Sequence, residues 1–413
     1  MKIYQMTNQQ RIDYLQSHGC LNPEQVKFLQ NEEPLSQDIA NSLSENQIGI
    51  FGLPYGFATD FLINGKEYLV PMSIEEPSVI AAASNGAMRV KASGGFEVKT
   101  SQHVMYGQIV LEDGTDDKVF NIEKHQAEII KLAEAARPSL LKRGGGVVSL
   151  TVQKVSDCLE ILIGVNTVDA MGANIVNSML EQIAPSISKL VDSKILCCIL
   201  SNSGEEQIVN VDAHVSFDKL KTKQMTGEEV AQRIVHLSEF ARNSKMRAVT
   251  HNKGIMNGID AVLIATGNDF RAQEAAAHSF FADESGYRPF SSWEIENDQL
   301  VGHLQMPIEI GTVGGAIKAL PMAQLSLAIM NIKNSQELQA VIGAVGLANN
   351  LSAIRALVTT GLQAGHMSLQ SKSLAVSAGA TGSEITKISE QLNNEKTYTL
   401  EAAQKLLKKL RNK

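Results

Sequence analysis

Four cysteines, one tryptophan and an aromatic fraction of 5% are little for a chain of 413 residues, and each shortage removes a class of reading. Cys20, Cys158, Cys197 and Cys198 form no CxxC pair and have no histidine at ligand spacing. Reduced thiols are therefore expected, with no disulfide framework and no metal site. Basic residues are outnumbered, 37 against 44, and a net charge of -7 does not supply the cationic footprint of a nucleic-acid binder. The amino terminus, MKIYQMTNQQRIDYLQ, has no apolar signal core, and no apolar run long enough to span a bilayer is expected. No internal repeat stands out, and no GxGxxG fingerprint accompanies any strand, so a standard Rossmann site is not supported. What remains is a cytoplasmic globular protein with no nucleic-acid or membrane partner. Its length predicts two domains, or one domain carrying a large insertion.

Aliphatic residues make up for the missing aromatics, and their spacing divides the chain. Residues 5 to 48 follow a helical pattern, and Asn64-Gly65 between Phe61-Leu62-Ile63 and Glu67-Tyr68-Leu69-Val70 predicts a hairpin. Pro77 to Ala92 predicts a mostly buried helix, with Glu76 at its entrance. From about residue 103 the texture changes to strands at 104–111, 147–155, 159–165 and 194–200, with helices at 123–136 and 173–191. This predicts a small α/β unit inserted over 103–207. Helices are then expected at 226–243, 271–282 and, with glycine breaks, 320–358, and strand at 299–310. The last segment closes in a helix with Leu400, Leu407 and Leu410 on one side and a solvated basic face of Lys405, Lys408, Lys409 and Arg411.

Several polar clusters stand out from this background. Thr250-His251-Asn252-Lys253-Gly254-Ile255-Met256-Asn257-Gly258 and Gly267-Asn268-Asp269 flank an apolar run, 259–265, of strand or short-helix length, so each cluster is expected at one of its ends. A lone lysine there is most often a surface residue in a turn, and His251 reads as a packing neighbour. Asp169-Ala170-Met171-Gly172-Ala173-Asn174 precedes a helix, where free N–H groups and Gly172 favour an anion; Asp169 as a plain helix cap is the equal alternative. The loop from Gly311 to Ala316 reads first as a tight turn, and Gly144-Gly145-Gly146 is equally ambiguous. Adjacent Glu75 and Glu76 are most often exposed caps, and His366 between glycines can exchange a proton near neutrality.

Taken together, Glu45-Asn46-Gln47-Ile48-Gly49, Glu75 to Ser84, Asp169 to Asn174, Thr250 to Asp260, Ala265 to Ala272 and Gly365-His366-Met367 resemble the soluble bacterial class II 3-hydroxy-3-methylglutaryl-coenzyme A (HMG-CoA) reductases over nearly the whole chain. Gln47, Phe270 and the Asn243 to Met246 segment depart from the usual family residues without removing a catalytic group. The resemblance implies an α+β fold with a large, mainly helical mixed substrate domain (1–102 and 208–360), an inserted non-Rossmann dinucleotide-binding domain (103–207) and a C-terminal helical flap (361–413). It implies reduction of HMG-CoA to mevalonate and CoA in isoprenoid biosynthesis by a homodimer or dimer-based oligomer whose sites draw on both subunits.

Carried over residue by residue, the resemblance makes Lys253 the cation on the thioester oxygen, Glu76 the acid for the aldehyde-level oxygen, Asp269 their link and His366 the donor to the CoA sulfur. Ser78, Arg247, Asn257 and Asn350 would hold the hydroxymethylglutaryl part. Asp169, Met171, Gly172, Asn174 and Asn202 would hold the dinucleotide. The segment from Ala135 to Leu141 lacks the acid of NAD-preferring relatives, so NADPH is expected, with Arg137 or Lys142 and Arg143 on its 2′-phosphate and NADH usable in its place. Two rival readings use the same residues: a Schiff-base lyase or aldolase with Lys253 as nucleophile, and a CoA-binding module without turnover.

Overall fold

The computed structural model describes residues 3–31, 34–361 and 371–412, and shows a mixed α+β fold. Its largest sheet has six strands in the order Ser291–Glu296, Gln299–Pro307, Ile208–Ser216, Phe96–Thr100, Tyr55–Ile63 and Lys66–Ser73. The last two form the predicted hairpin, and its turn residues Asn64 and Gly65 have φ of 48° and 78°, the left-handed pair that a two-residue turn matching the strand twist requires.

Three helices pack on this sheet and on one another: Val79–Lys91, Lys245–Ala265 and Ser335–Val358. Missing side chains let them approach closely. A Cβ on Gly86 would stand 2.1 Å from the Ala348 carbonyl oxygen, and one on Gly258 would stand 2.8 Å from Asn349 Cγ. The expected glycine breaks in 320–358 are not breaks. Gly343 and Gly346 lie inside the 24-residue helix Ser335–Val358 and face Val211 and Ile259, and the chain turns instead at Asn331, with φ of 52°. That helix is also long and apolar enough to cross a membrane, contrary to the sequence expectation, but 72% of its most apolar window is buried, as in a core helix.

Between the paired strands Phe96–Thr100 and Ile208–Ser216 the chain makes a second sheet, in the order Gly146–Val155, Cys158–Asn166, Val104–Leu111 and Ile195–Ser201. Every pairing in it is antiparallel, so it contains no parallel βαβ unit of the Rossmann kind. Helix Ala173–Val191 covers one face through Val176, Met179, Leu180, Ile183 and Ile187, which form a separate apolar core with Ile109, Ile161 and Ile163. Near the carboxyl end, helices Ser383–Glu395 and Leu400–Arg411 pack through Ile388, Leu392, Ala403, Leu406 and Leu407. Leu400 is exposed, so the buried stripe is centred nearer Ala403 than expected, and Arg411 is paired with Glu384.

Candidate active site

The lysine cluster lies within a helix. Lys245–Ala265 runs unbroken for 21 residues, so residues 250–258 and the apolar run after them form one element. Asn and Gly are weak helix formers, and tertiary contacts hold them there. Asn252 is fully buried; its Nδ2 donates to Arg288 O at 2.8 Å and its Oδ1 accepts from Phe290 N at 2.8 Å. With Asn252 pinned inward, Lys253 and Asn257, one helical turn apart, share the outer face. Both reach Glu76: Lys253 Nζ donates to Oε2 at 2.8 Å, and Asn257 Nδ2 approaches the same oxygen at 3.4 Å.

Glu76 arrives from the other side, between strand Lys66–Ser73 and helix Val79–Lys91. Ser78 follows with φ of 79°, a left-handed conformation that a non-glycine residue adopts only where its surroundings enforce it. The side chains of Lys253 and Glu76 retain 60% and 36% exposure, so the pair opens to solvent. An ammonium and an amide, not apolar side chains, meet the Glu76 carboxylate.

Asp269 is placed elsewhere. It caps helix Phe270–Phe280, accepting from Arg271 N at 3.0 Å and Ala272 N at 3.2 Å, and its other oxygen pairs with Arg271 at 2.8 Å. At about 1.5 Å per residue, the helix from Lys253 to Ala265 carries the chain about 18 Å from the lysine before Asp269 is reached. Among the described residues the bonds of Asp269 go to Arg271 and Ala272, and those of Glu76 to Lys253 and Asn257. Asn350 is also placed differently: it is 2% exposed, its Oδ1 accepts from Ser291 Oγ at 3.0 Å and Trp293 Nε1 at 2.7 Å, and its Nδ2 lies 3.1 Å from His251 Nε2. His251 is pushed down to about 4 by burial and then by Arg247, which keeps it a neutral member of this network. Arg247, half-buried one turn before His251, has a buried Nε without a partner, and desolvation lowers its pKa. His366 lies outside the described residues.

The Asp169 loop does something that neither sequence alternative anticipated. Asp169 Oδ1 accepts from the backbone N of Ser335 at 2.8 Å, so it ties the smaller sheet to the first residue of helix Ser335–Val358 and leaves its own helix uncapped. Gly172 precedes that helix with φ of 107°, and a Cβ there would stand 2.5 Å from Thr167 Cγ2. The first turn of Ala173–Val191 thus presents N–H groups with no side-chain cap, beside exposed Asn174, an arrangement that suits a phosphate. Met171 packs partly on the smaller core, Asn202 is exposed after strand Ile195–Ser201, and Arg137 is half-buried between helices Gln126–Ala136 and Pro138–Leu141, with a buried, unpartnered Nε.

Sequence reasoning missed the seam on which this loop rests. Thr312 N donates to Asp169 O at 2.8 Å, Ala170 bridges Val313, and buried His103 holds Ile310 O at 2.7 Å. The glycine at 311 was visible only as a turn, whereas a Cβ there would meet Met171 N at 2.4 Å. Its function is close approach between the two sheets' loops.

Comparison with known proteins gives the family. The hydroxymethylglutaryl-coenzyme A reductase family profile matches residues 7–371. An Archaeoglobus fulgidus 3-hydroxy-3-methylglutaryl-coenzyme A reductase is 40% identical over 99% of this chain and 94% of its own. A probable enzyme of the same name from Borreliella burgdorferi is 31% identical over 91% and 88%. Among solved structures, the reductase of Streptococcus pneumoniae superposes with a TM-score of 0.83 at 41% identity, covering 98% of both chains. A class II form from that organism, bound to NADPH in open conformations, matches with the same TM-score and identity over 98% of this chain and all of that one. With a family profile spanning most of the sequence and relatives matched nearly end to end, this chain belongs to the hydroxymethylglutaryl-coenzyme A reductase family.

Proposed function

We propose that this chain reduces HMG-CoA to mevalonate and free CoA with two NADPH, and that Lys253 and Glu76 form its reacting centre. The observation that carries the assignment is the ammonium of Lys253 and the amide of Asn257 meeting on one oxygen of Glu76. Bound NADPH supplies a hydride in each of two successive reductions, and two protons complete the balance to an alcohol and a thiol. Lys253 stabilises the negative charge that builds on the carbonyl oxygen at each reduction. Glu76, touching the lysine, delivers the proton to the aldehyde-level oxygen, and Asn257 holds the acid in place. Arg247 has an unpaired Nε and suits the free carboxylate of the substrate. Ser78, two residues after Glu76 where the chain turns into the helix, holds the hydroxymethylglutaryl part. Asn350 acts from behind by ordering His251 and Ser291, and by motif His366 protonates the departing CoA sulfur.

The cofactor reading assigns 103–207 as the dinucleotide domain, inserted between 1–102 and 208–360, with 361–413 as the flap. The uncapped helix start at Gly172 supports a phosphate there, flanked by Asp169, Met171, Asn174 and Asn202, with Arg137 toward the 2′-phosphate. A homodimer follows from the same reading. The helix length that separates Asp269 from Lys253 supports a site to which the partner subunit contributes the missing carboxylate. A cytoplasmic protein without a membrane partner fits the burial of helix Ser335–Val358 in the core.

Initial rates with each nicotinamide test this reading. NADPH oxidation is expected to depend on the thioester and to exceed NADH oxidation at least about tenfold, the factor that about 1.4 kcal/mol of 2′-phosphate recognition supplies. A strong NADH preference contradicts the Arg137 assignment. Borohydride trapping of substrate on Lys253 without nicotinamide oxidation favours the Schiff-base lyase instead.

A further inference from the structure

The turn that carries Asp269 is clamped against the segment after strand Gln299–Pro307. Gly311 N donates to Asn268 Oδ1 at 2.8 Å and Glu309 N donates to Gln273 Oε1 at 2.7 Å, so residues 309–311 run alongside Asp269 and are fixed on either side of it. The same segment meets the Asp169 loop through Thr312 and Gly311. Glu309 sits in this seam with 1% exposure, and its carboxyl oxygens have no partner beyond a weak approach of the Gly204 backbone N–H. A buried ionised carboxylate without donors is costly, and a nearby anion raises that cost. Burial first, and then the charge of Asp269, push Glu309 up to about 8, with the Gly204 N–H acting weakly the other way.

The groups that face the seam from the surrounding elements set its electrostatics. Asp269 is paired with Arg271, and Asp169 is bonded to Ser335 N. His103 holds Ile310 O, with burial lowering its pKa, and uncharged Gln339 donates to Ile308 O. No cation in this set is bonded to Glu309.

We propose that Glu309 is a positioning residue for the reduction: a carboxyl without a cation partner, sealed between the Asp269 turn and the Asp169–Met171 loop, that in its neutral form holds the two together. The proposal rests on the reductase reading, in which Asp269 joins a reacting centre. Loss of the Glu309 proton sets two carboxylates against each other at the point where the cofactor loop docks.

Glu309→Gln replaces the acid with a neutral group of the same shape. The wild-type rate is expected to fall about tenfold per pH unit above about pH 8, and the variant to lose that limb or shift it upward by about one unit or more. Superimposable profiles overturn the proposal. Two further readings do not depend on turnover. The infrared difference between wild type and variant at pH 7 should contain a protonated carboxyl band that disappears with alkali, whereas a carboxylate band at pH 7 overturns the proposal. In urea unfolding, the folded carboxyl titrates near 8 and the unfolded one at its ordinary 4.5, so the native state holds the extra proton between these values. Stability should therefore fall as pH rises across that window, and the fall should be shallower in the variant; equal slopes overturn the proposal. A protein that reduces no thioester at any pH sinks the reductase reading, and the infrared and unfolding results then decide the state of Glu309 on their own.

Discussion

Lys253→Met is expected to lower kcat about a thousandfold, equivalent to about 4 kcal/mol of lost transition-state stabilisation, while the protein stays folded. Both halves follow from where the residue sits. The lysine is 60% exposed and its only described partners lie around Glu76, so removing its charge costs the fold little. Thioester reduction, by contrast, concentrates a full negative charge on one oxygen, and no other side-chain cation is bonded to Glu76 among the described residues. Methionine keeps the length and apolar stem of the side chain while deleting the ammonium. Single-turnover loss of nicotinamide absorbance and a melting curve measure the two effects separately. Activity within tenfold of wild type would remove Lys253 from the chemistry.

Gly86→Val is expected to cost about 4 kcal/mol of stability, a large share of what a folded protein of this kind has to lose. A Cβ at residue 86 would lie 2.1 Å from Ala348 O, 2.7 Å from Ala348 C and 2.9 Å from Ala348 Cα. These are backbone atoms within a buried helix and cannot swing aside as a side chain would. The helices Val79–Lys91 and Ser335–Val358 must then move apart, and the helix that moves is the one entered through Glu76 and Ser78. A lowered urea midpoint should therefore accompany loss of turnover. Gly254→Ala is the contrasting change. Nothing lies within 4 Å of a Cβ there, and helix propensity alone predicts a gain of up to about 1 kcal/mol. A Gly86 variant as stable as wild type would mean that the helix contact is not a determinant of the fold.

Local signals were legible in the sequence where local chemistry decides the structure. Asn64-Gly65 specified its hairpin, because two left-handed residues in a row leave few other choices. The apolar spacing from Val176 to Ile187 specified the helix Ala173–Val191. The Lys253 segment was harder. Its glycines and asparagines read as turn residues, and only the buried bonds of Asn252 and the packing of Gly258 on Asn349 make it helical. Long-range uses of a side chain left no local trace. Asp169 reads as the cap of the helix that follows it, yet it bonds Ser335, 166 residues away. Glu309 carries no motif, and its interest comes from enclosure alone. The resemblance supplied Asp269 and its role, but a linear sequence does not say that Lys253 lies inside a helix that runs on to Ala265 before the chain turns to Asp269.

A four-electron reduction at the Lys253–Glu76 pair is tested most directly by counting electrons against thiols. Purified protein, HMG-CoA and excess NADPH should oxidise two nicotinamides for each CoA thiol released, with mevalonate as the organic product. One nicotinamide per thiol with accumulated aldehyde, or thiol release with no nicotinamide oxidised, would contradict the account.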